Sequence, residues 1–258
     1  MIRNWIRSCG QTYARLKNEV RAHLDDLRCR WQGAPDGLPI PPLRLIHFVI
    51  ASHETRHFLE SGGVAAQSIT DILARRNLQL GDFDAVLDFG CGCGRVMRHW
   101  RSVRHAKLYG CDYNPELIAW AQVNLPFAQY AINQLDPPLP YADGMFDFAY
   151  ACSVFTHLPE ELQFEWMDEM ARVVRPGGYL LLTTHGEGRV GVLSPADQER
   201  FRVGEMLVWG AGVAGTNRCA SFHPERYVRE TLARSFEVIE FVPTGWYFQD
   251  LYLLQKPG

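Results

Sequence analysis

The sequence predicts an α/β protein: a doubly wound sheet, mostly parallel with an antiparallel last strand, behind an N-terminal helical extension. Two features carry that expectation. From residue 84 onward, short apolar runs alternate with helical stretches, as a parallel sheet covered on both faces requires. Before residue 80 the apolar residues recur at spacings of three and four instead, the period of helices. The 258-residue chain is long enough for one large core, and we divide it into a helical extension or lid over 1–80 and a ligand-binding domain over 81–258, with a loop-rich cap at 185–220.

Residues 2–31 read as one amphipathic helix, with Ile2, Trp5, Ile6, Cys9, Tyr13 and Leu16 opening a stripe that runs to Trp31 and a basic opposite face. The stripe is expected to pack on its own domain; a dimer contact or a membrane surface are the other uses of such a face. QGAPDGLPIPP (32–42) cannot continue a helix and is a linker by composition. Helices are expected over 43–60 and 64–78, broken by the SGG between them. AVLDF (85–89) is the first strand, and RVMRHW opens a helix. KLYGCD (107–112) is the second strand, followed by the helix NPELIAWAQVNL (114–125), with Asn114 as N-cap and Pro115 at its first position. FAQYAI (127–132), FDFAYA (146–151) and YLLLTT (179–184) continue the strand series, and PEELQFEWMDEMARVV (159–174) is a long helix stopped by RPGG. After the cap come a helix, HPERYVRETLA (223–233), and two closing strands, FEVIEFVP and DLYLLQK.

Bulk properties narrow the function. A net charge of −3 lacks the basic excess of a nucleic-acid binder. No apolar run approaches the roughly 20 residues of a membrane span. The opening MIRNWIRSCGQTYARLK has no apolar core of a secretory signal, and seven cysteines without a dense pattern fit reduced thiols. A cytoplasmic protein is the expectation.

The chemistry centres on VLDFGCGCGRV (86–96). A metal would need more than Cys91 and Cys93, and neither a second cysteine pair nor a nearby histidine completes four ligands. We expect no metal, and take both cysteines as small residues that let the loop sit tightly on its strand. A dinucleotide fingerprint, GxGxxG, fails because Arg95 stands where the third glycine should fall. The pattern is instead D-x-G-x-G-x-G, from Asp88 through Gly90, Gly92 and Gly94, at the carboxyl end of a strand. Alternate glycines let backbone approach a ligand that a Cβ would block.

With the segments that follow it, the run from 84 to about 184 resembles the class I S-adenosylmethionine-dependent methyltransferases of small-molecule type, a Rossmann-like family. The resemblance implies S-adenosylmethionine as cofactor, with its methionine end wrapped by the glycine loop and Cys91. It implies that Asp112, in YGCDYN, accepts from both ribose hydroxyls, a geometry that suits a carboxylate, and that Tyr113 lies against adenine. The family's third strand ends in an acid near the adenine amine; Asn133 stands there in NQLDPPLPYADGMFD, with Gln134 and Leu135 able to share its role. YACSVFTHLPEE resembles the stretch beside the methyl group, and Ser153 is the candidate for the methionine carboxylate.

Methyl transfer to oxygen calls for a positioned nucleophile and often a base. His157 and His185 follow the fourth and fifth strands, and His185 is the first choice because it ends a strand and opens the cap. Asn217, Tyr227, Trp246, Tyr247 and Gln249 are candidates for the acceptor wall, and His223 reads as a helix-start residue. The expected activity is O-methylation of a small-molecule acceptor. The alternative is cyclisation or fragmentation of the cofactor itself, which predicts a small, sealed cavity. A distant alternative is a zinc hydrolase using His53-Glu54-x-x-His57 on a predicted helix, where a spacing of four sets both imidazoles on one face.

Overall fold

The computed structural model describes residues 24 and 26–258. Of the helix expected over 2–31, residues 24 and 26–31 are helical; the rest, and any dimer contact made through it, lies outside the described residues. The linker is laid down on the domain. Asp36 grips the fully buried Arg98 with both carboxylate oxygens, one of them at 2.8 Å, so that the guanidinium charge is not left unpaired.

Helix α1 (Leu43–Ile50) ends at Ala51, which adopts a left-handed conformation. Helix α2 (Thr55–Ala74) then runs through Ser61, Gly62 and Gly63, where the sequence reading set a break. The reason is contact: a Cβ on Gly62 would stand 2.2 Å from the Arg95 carbonyl oxygen. Glycine there brings the helix against the loop after the first strand. The actual break is at 51–54, and the Asp26 carboxylate finishes it by accepting the Thr55 amide at 2.9 Å.

Strands β1 (Ala85–Phe89), β2 (Lys107–Asp112), β3 (Gln129–Ile132), β4 (Phe146–Ala151) and β5 (Val174–Thr184) pair in parallel. A two-stranded ribbon of β6 (Leu207–Trp209) and β7 (Ala220–Phe222) forms a separate sheet, tied to the end of β5 where the His223 amide donates to the His185 carbonyl at 2.8 Å. The closing hairpin is β8 (Glu237–Trp246) and β9 (Gln249–Gln255). The main sheet has the order β3-β2-β1-β4-β5-β9-β8, and β9 is antiparallel to both its neighbours. This is the expected mostly parallel sheet with an antiparallel last strand. Order reverses between β1 and β4, which opens a crevice at their carboxyl ends.

Side-chain parity sorts the core into two layers. Leu87, Phe89, Leu180 and Leu182 face Trp166 and Met170 of the helix Glu160–Val173, whereas Val86, Phe148 and Leu181 face Ile69 and Ile72 of α2. Because α2 covers that second face, RVMRHW does not open an α-helix; Met97–Trp100 is a single 3-10 turn tucked beneath it. The helix Pro115–Asn124 is capped by Asn114 as expected. The stretch 223–233 is shorter than expected, one α-turn at Glu225–Tyr227 followed by a π-turn at Val228–Leu232. Among the described residues, no helix is long and apolar enough to cross a membrane.

Candidate active site

A cavity of about 610 Å³ opens at the carboxyl ends of β1, β2 and β4, roofed by α1 on one side and by residues 215–218 of the cap on the other. Of the residues singled out in the sequence, Asp88, Gly90, Cys91, Gly92, Asp112, Tyr113, Asn133, Gln134, Leu135, Ser153 and His157 line it. Gly94 and His185 do not.

The glycine loop adopts backbone that only glycine takes freely, with φ of 74°, 56° and 77° at Gly90, Gly92 and Gly94. Gly94 works beneath the cavity: a Cβ there would fall 2.2 Å from Leu125 Cδ1. Asp112 holds the loop from the next strand. One of its oxygens accepts the Gly92 amide and the other the Asn114 amide, each at 2.9 Å. Burial raises its carboxyl to about 6 against the pull of those two amides. Cys93 is buried among Leu45, Ile46 and Phe58, and burial pushes its thiol up to about 12 and that of Cys91 well above the ordinary value. Both stay protonated thiols and serve as small packing residues.

Asp88 lies buried at the base of the loop. Desolvation dominates there and lifts its carboxyl to about 7, against the Tyr150 hydroxyl and the Arg95 guanidinium; Asp112 adds to the rise. Arg95, which the sequence reading treated only as a missing glycine, is itself a wall residue. Its guanidinium lies over the Trp246 ring at 4.8 Å from the centroid, with Nε buried and unpartnered. Since the folded carboxyl of Asp88 holds its proton far above 3.8, the fold is favoured at acid pH and loses that advantage as pH rises from about 4 to about 7. Asparagine removes the dependence. Asp88→Asn is therefore expected to raise the melting temperature at pH 8 and leave it nearly unchanged at pH 4, while weakening cofactor binding. Thermal melts at the two pH values check this, and an equal shift at both would contradict it.

At the far end Tyr113 donates its hydroxyl to the Gly215 carbonyl at 2.9 Å. Asn133 donates Nδ2 to the Gln134 carbonyl and keeps a buried, unpartnered Oδ1. The cap is tied down by the Gly215 amide on the His157 carbonyl at 2.7 Å and by Asn217 Nδ2 on the Phe48 carbonyl at 3.1 Å. Of the acceptor-wall candidates, Asn217 lines the cavity, Trp246 supports Arg95, and Tyr227 turns into the core to meet Glu160. Tyr247 stands outside beside His57.

His157 faces the cavity with Nδ1 2.7 Å from the Cys219 carbonyl. A carbonyl only accepts, so Nδ1 carries the proton and the neutral ring has its lone pair on Nε2. Burial depresses this imidazole below its ordinary value, with the Cys219 hydrogen bond opposing. His185, the first choice from sequence, sits one layer back. It packs against Phe222 and Phe248 with its ring centroid 6.4 Å from that of His157, and burial depresses it to about 4. His223 lies deeper, fully buried, with Nε2 2.9 Å from Gln163 Oε1.

The zinc reading required His53 and His57 on one helix. His53 precedes α2, whose first residue is Thr55, and stacks on His47 at 4.3 Å between ring centroids. Among the described residues, no three or more His, Cys, Asp or Glu are grouped to hold a metal ion.

A buried carboxylate oxygen of Asp88, a buried guanidinium nitrogen of Arg95 and the Asn133 amide oxygen thus lack partners within the protein, all on residues of one cavity wall. They complement an ammonium, a carboxylate and an exocyclic amine, while Asp112 has lone pairs to spare for a diol. An amino acid joined to an adenine nucleoside fits this set. Fold and site together define an α/β enzyme domain for such a cofactor.

A sequence profile described as a methyltransferase domain matches residues 87–182. Over these residues the chain carries a methyltransferase domain. A malonyl-[acyl-carrier protein] O-methyltransferase from Pectobacterium atrosepticum is 30% identical over 120 residues, 44% of this chain and 43% of the relative. An uncharacterized methyltransferase from Synechocystis sp. is 32% identical over 112 residues, 43% of this chain and 51% of that one. The chain thus matches less than half the length of the first of these relatives. Among solved structures, the 1,6-didemethyltoxoflavin-N1-methyltransferase of Burkholderia thailandensis shares the fold at a TM-score of 0.57 and 17% identity, over 84% of this chain and 88% of that one. A methyltransferase from Methanosarcina mazei does so at 0.52 and 21%, over 72% and 97%.

Proposed function

We propose that the protein transfers the methyl group of S-adenosylmethionine to an oxygen of a small-molecule acceptor, with His157 as the base. The observation that carries this reading is the His157 ring, held by the Cys219 carbonyl so that a free lone pair on Nε2 belongs to a cavity-lining side chain. When bound, S-adenosylmethionine supplies an electrophilic methyl carbon on a positively charged sulfur that leaves as a neutral thioether. The protein's residues do the remaining work. Asp88 takes the cofactor's ammonium and Arg95 its carboxylate end, Asp112 the ribose hydroxyls, and Asn133 the adenine amine, with Tyr113 beside the ring and Gln134 and Leu135 closing that end. His157 Nε2 accepts the acceptor's hydroxyl proton as the new carbon–oxygen bond forms. Asn217 and the 215–218 segment cover the acceptor and exclude water.

The O-methyltransferase name of the relatives that match residues of this domain supports the choice of oxygen. The size of the cavity, within the range of small-molecule sites, and its cap of exposed residues favour an outside acceptor over chemistry confined to the cofactor. The test is incubation of the purified protein with S-adenosylmethionine alone, followed by mass spectrometry. An intact, bound cofactor supports transfer to an acceptor and justifies a screen of hydroxyl compounds. Methylthioadenosine or a cyclised amino acid would make the cofactor the substrate and overturn the proposal.

A further inference from the structure

Ser153 stands at the end of β4 in a left-handed conformation, φ 61°, which costs a non-glycine residue energy and so needs support. The support comes from two buried side chains on neighbouring strands, Thr183 and Gln249. The Ser153 amide donates to Thr183 Oγ1 at 2.8 Å; Thr183 Oγ1 donates to Gln249 Oε1 at 2.6 Å; Gln249 Nε2 donates to Ser153 Oγ at 2.7 Å. The ring of bonds has a direction. Thr183 Oγ1 accepts a hydrogen bond from the Ser153 amide, which has no other role than donor, so its own hydroxyl donates to Gln249, its other partner among the described residues. That fixes the Gln249 amide with its nitrogen toward Ser153. Ser153 Oγ is then an acceptor inside the wall, and its proton is left for the cavity that Ser153 lines.

We propose that Thr183 and Gln249 are positioning residues that hold the Ser153 hydroxyl as an outward donor, selecting an anionic oxygen, the carboxylate at the methionine end of the cofactor. The proposal rests on the cofactor assignment above, with Ser153 beside the glycine loop: the next residue's Val154 Cγ2 lies where a Cβ on Gly90 would stand 2.4 Å away.

Gln249→Glu tests it with almost no change of shape. A carboxylate at 249 accepts from both hydroxyls, so Ser153 donates inward and turns lone pairs toward the cavity. The measurement is calorimetric binding of two ligands: S-adenosylhomocysteine, which has the carboxylate, and methylthioadenosine, which lacks it. Gln249→Glu and Ser153→Ala are each expected to weaken the first by about tenfold or more and leave the second unchanged. Thr183→Val should act the same way, and Thr183→Ser should restore the native preference. The double variant Ser153→Ala/Gln249→Glu should bind S-adenosylhomocysteine as Ser153→Ala does, because the effect of residue 249 passes through the hydroxyl. Equal loss of both ligands, or a double variant much weaker than Ser153→Ala, would show mere packing or charge repulsion and overturn the proposal. If the unaltered protein bound neither ligand, the cofactor assignment itself would fall.

Discussion

Alanine at Asp112 is expected to lower affinity for S-adenosylhomocysteine by a factor of about 10²–10³, the largest binding defect of any single substitution in the cavity. Charge-assisted hydrogen bonds contribute about 1.5–3 kcal/mol each, and this carboxylate is proposed to accept two from ribose while already holding Gly92 and Asn114. Removing it takes away the ligand contact and the restraint on the loop that makes the rest of the site. Asparagine at 112 should recover little, because its amide nitrogen would face either the Gly92 or the Asn114 N–H, donor against donor. Calorimetry with both variants decides the matter, and a loss below about tenfold for Asp112→Ala would remove Asp112 from the proposed site.

The second large effect concerns turnover. His157→Ala is expected to lower kcat by about 10²–10⁴, the usual contribution of a general base, with cofactor affinity unchanged. Only the neutral imidazole can accept a proton, and burial holds this one below its ordinary value. Activity should therefore fall as pH drops through an apparent pKa below 6.5 and stay level from neutral pH upward. That limb should vanish in the variant, whereas His185→Ala should keep it. A profile that retains the limb without His157 would assign it to another group.

Much of this site was legible in the sequence, for a physical reason. The glycine loop, Asp112 and Asn133 are read from positions at strand ends, and strand ends converge at the crevice wherever order reverses. The failures share a cause too. His185 follows its strand directly and packs behind the crevice wall, whereas His157 rides on a 3-10 turn, Phe155–His157, that carries it to the cavity; neither placement can be read from the text of SVFTH or YLLLTTH. Arg95 was hidden because the motif was read for its glycines. SGG reads as a helix stop until the Arg95 carbonyl is seen beside Gly62. The Thr183–Gln249 pair joins residues 66 apart in sequence and had no local signal.

The place of β9 in the sheet bears on how the protein is made. It lies between β5 and β8, so β5 has a parallel partner on one side only until the closing hairpin is added. A nascent or truncated chain that stops short of residue 249 leaves the run Leu180, Leu181 and Leu182 as an open, apolar strand edge, a template for pairing with other chains. Slow synthesis across the cap, or proteolysis within it, would lengthen the life of that edge. Aggregation of chains cut before residue 249 is the expected result, and it traces to the same inserted strand that carries Gln249 to the wall of the cavity.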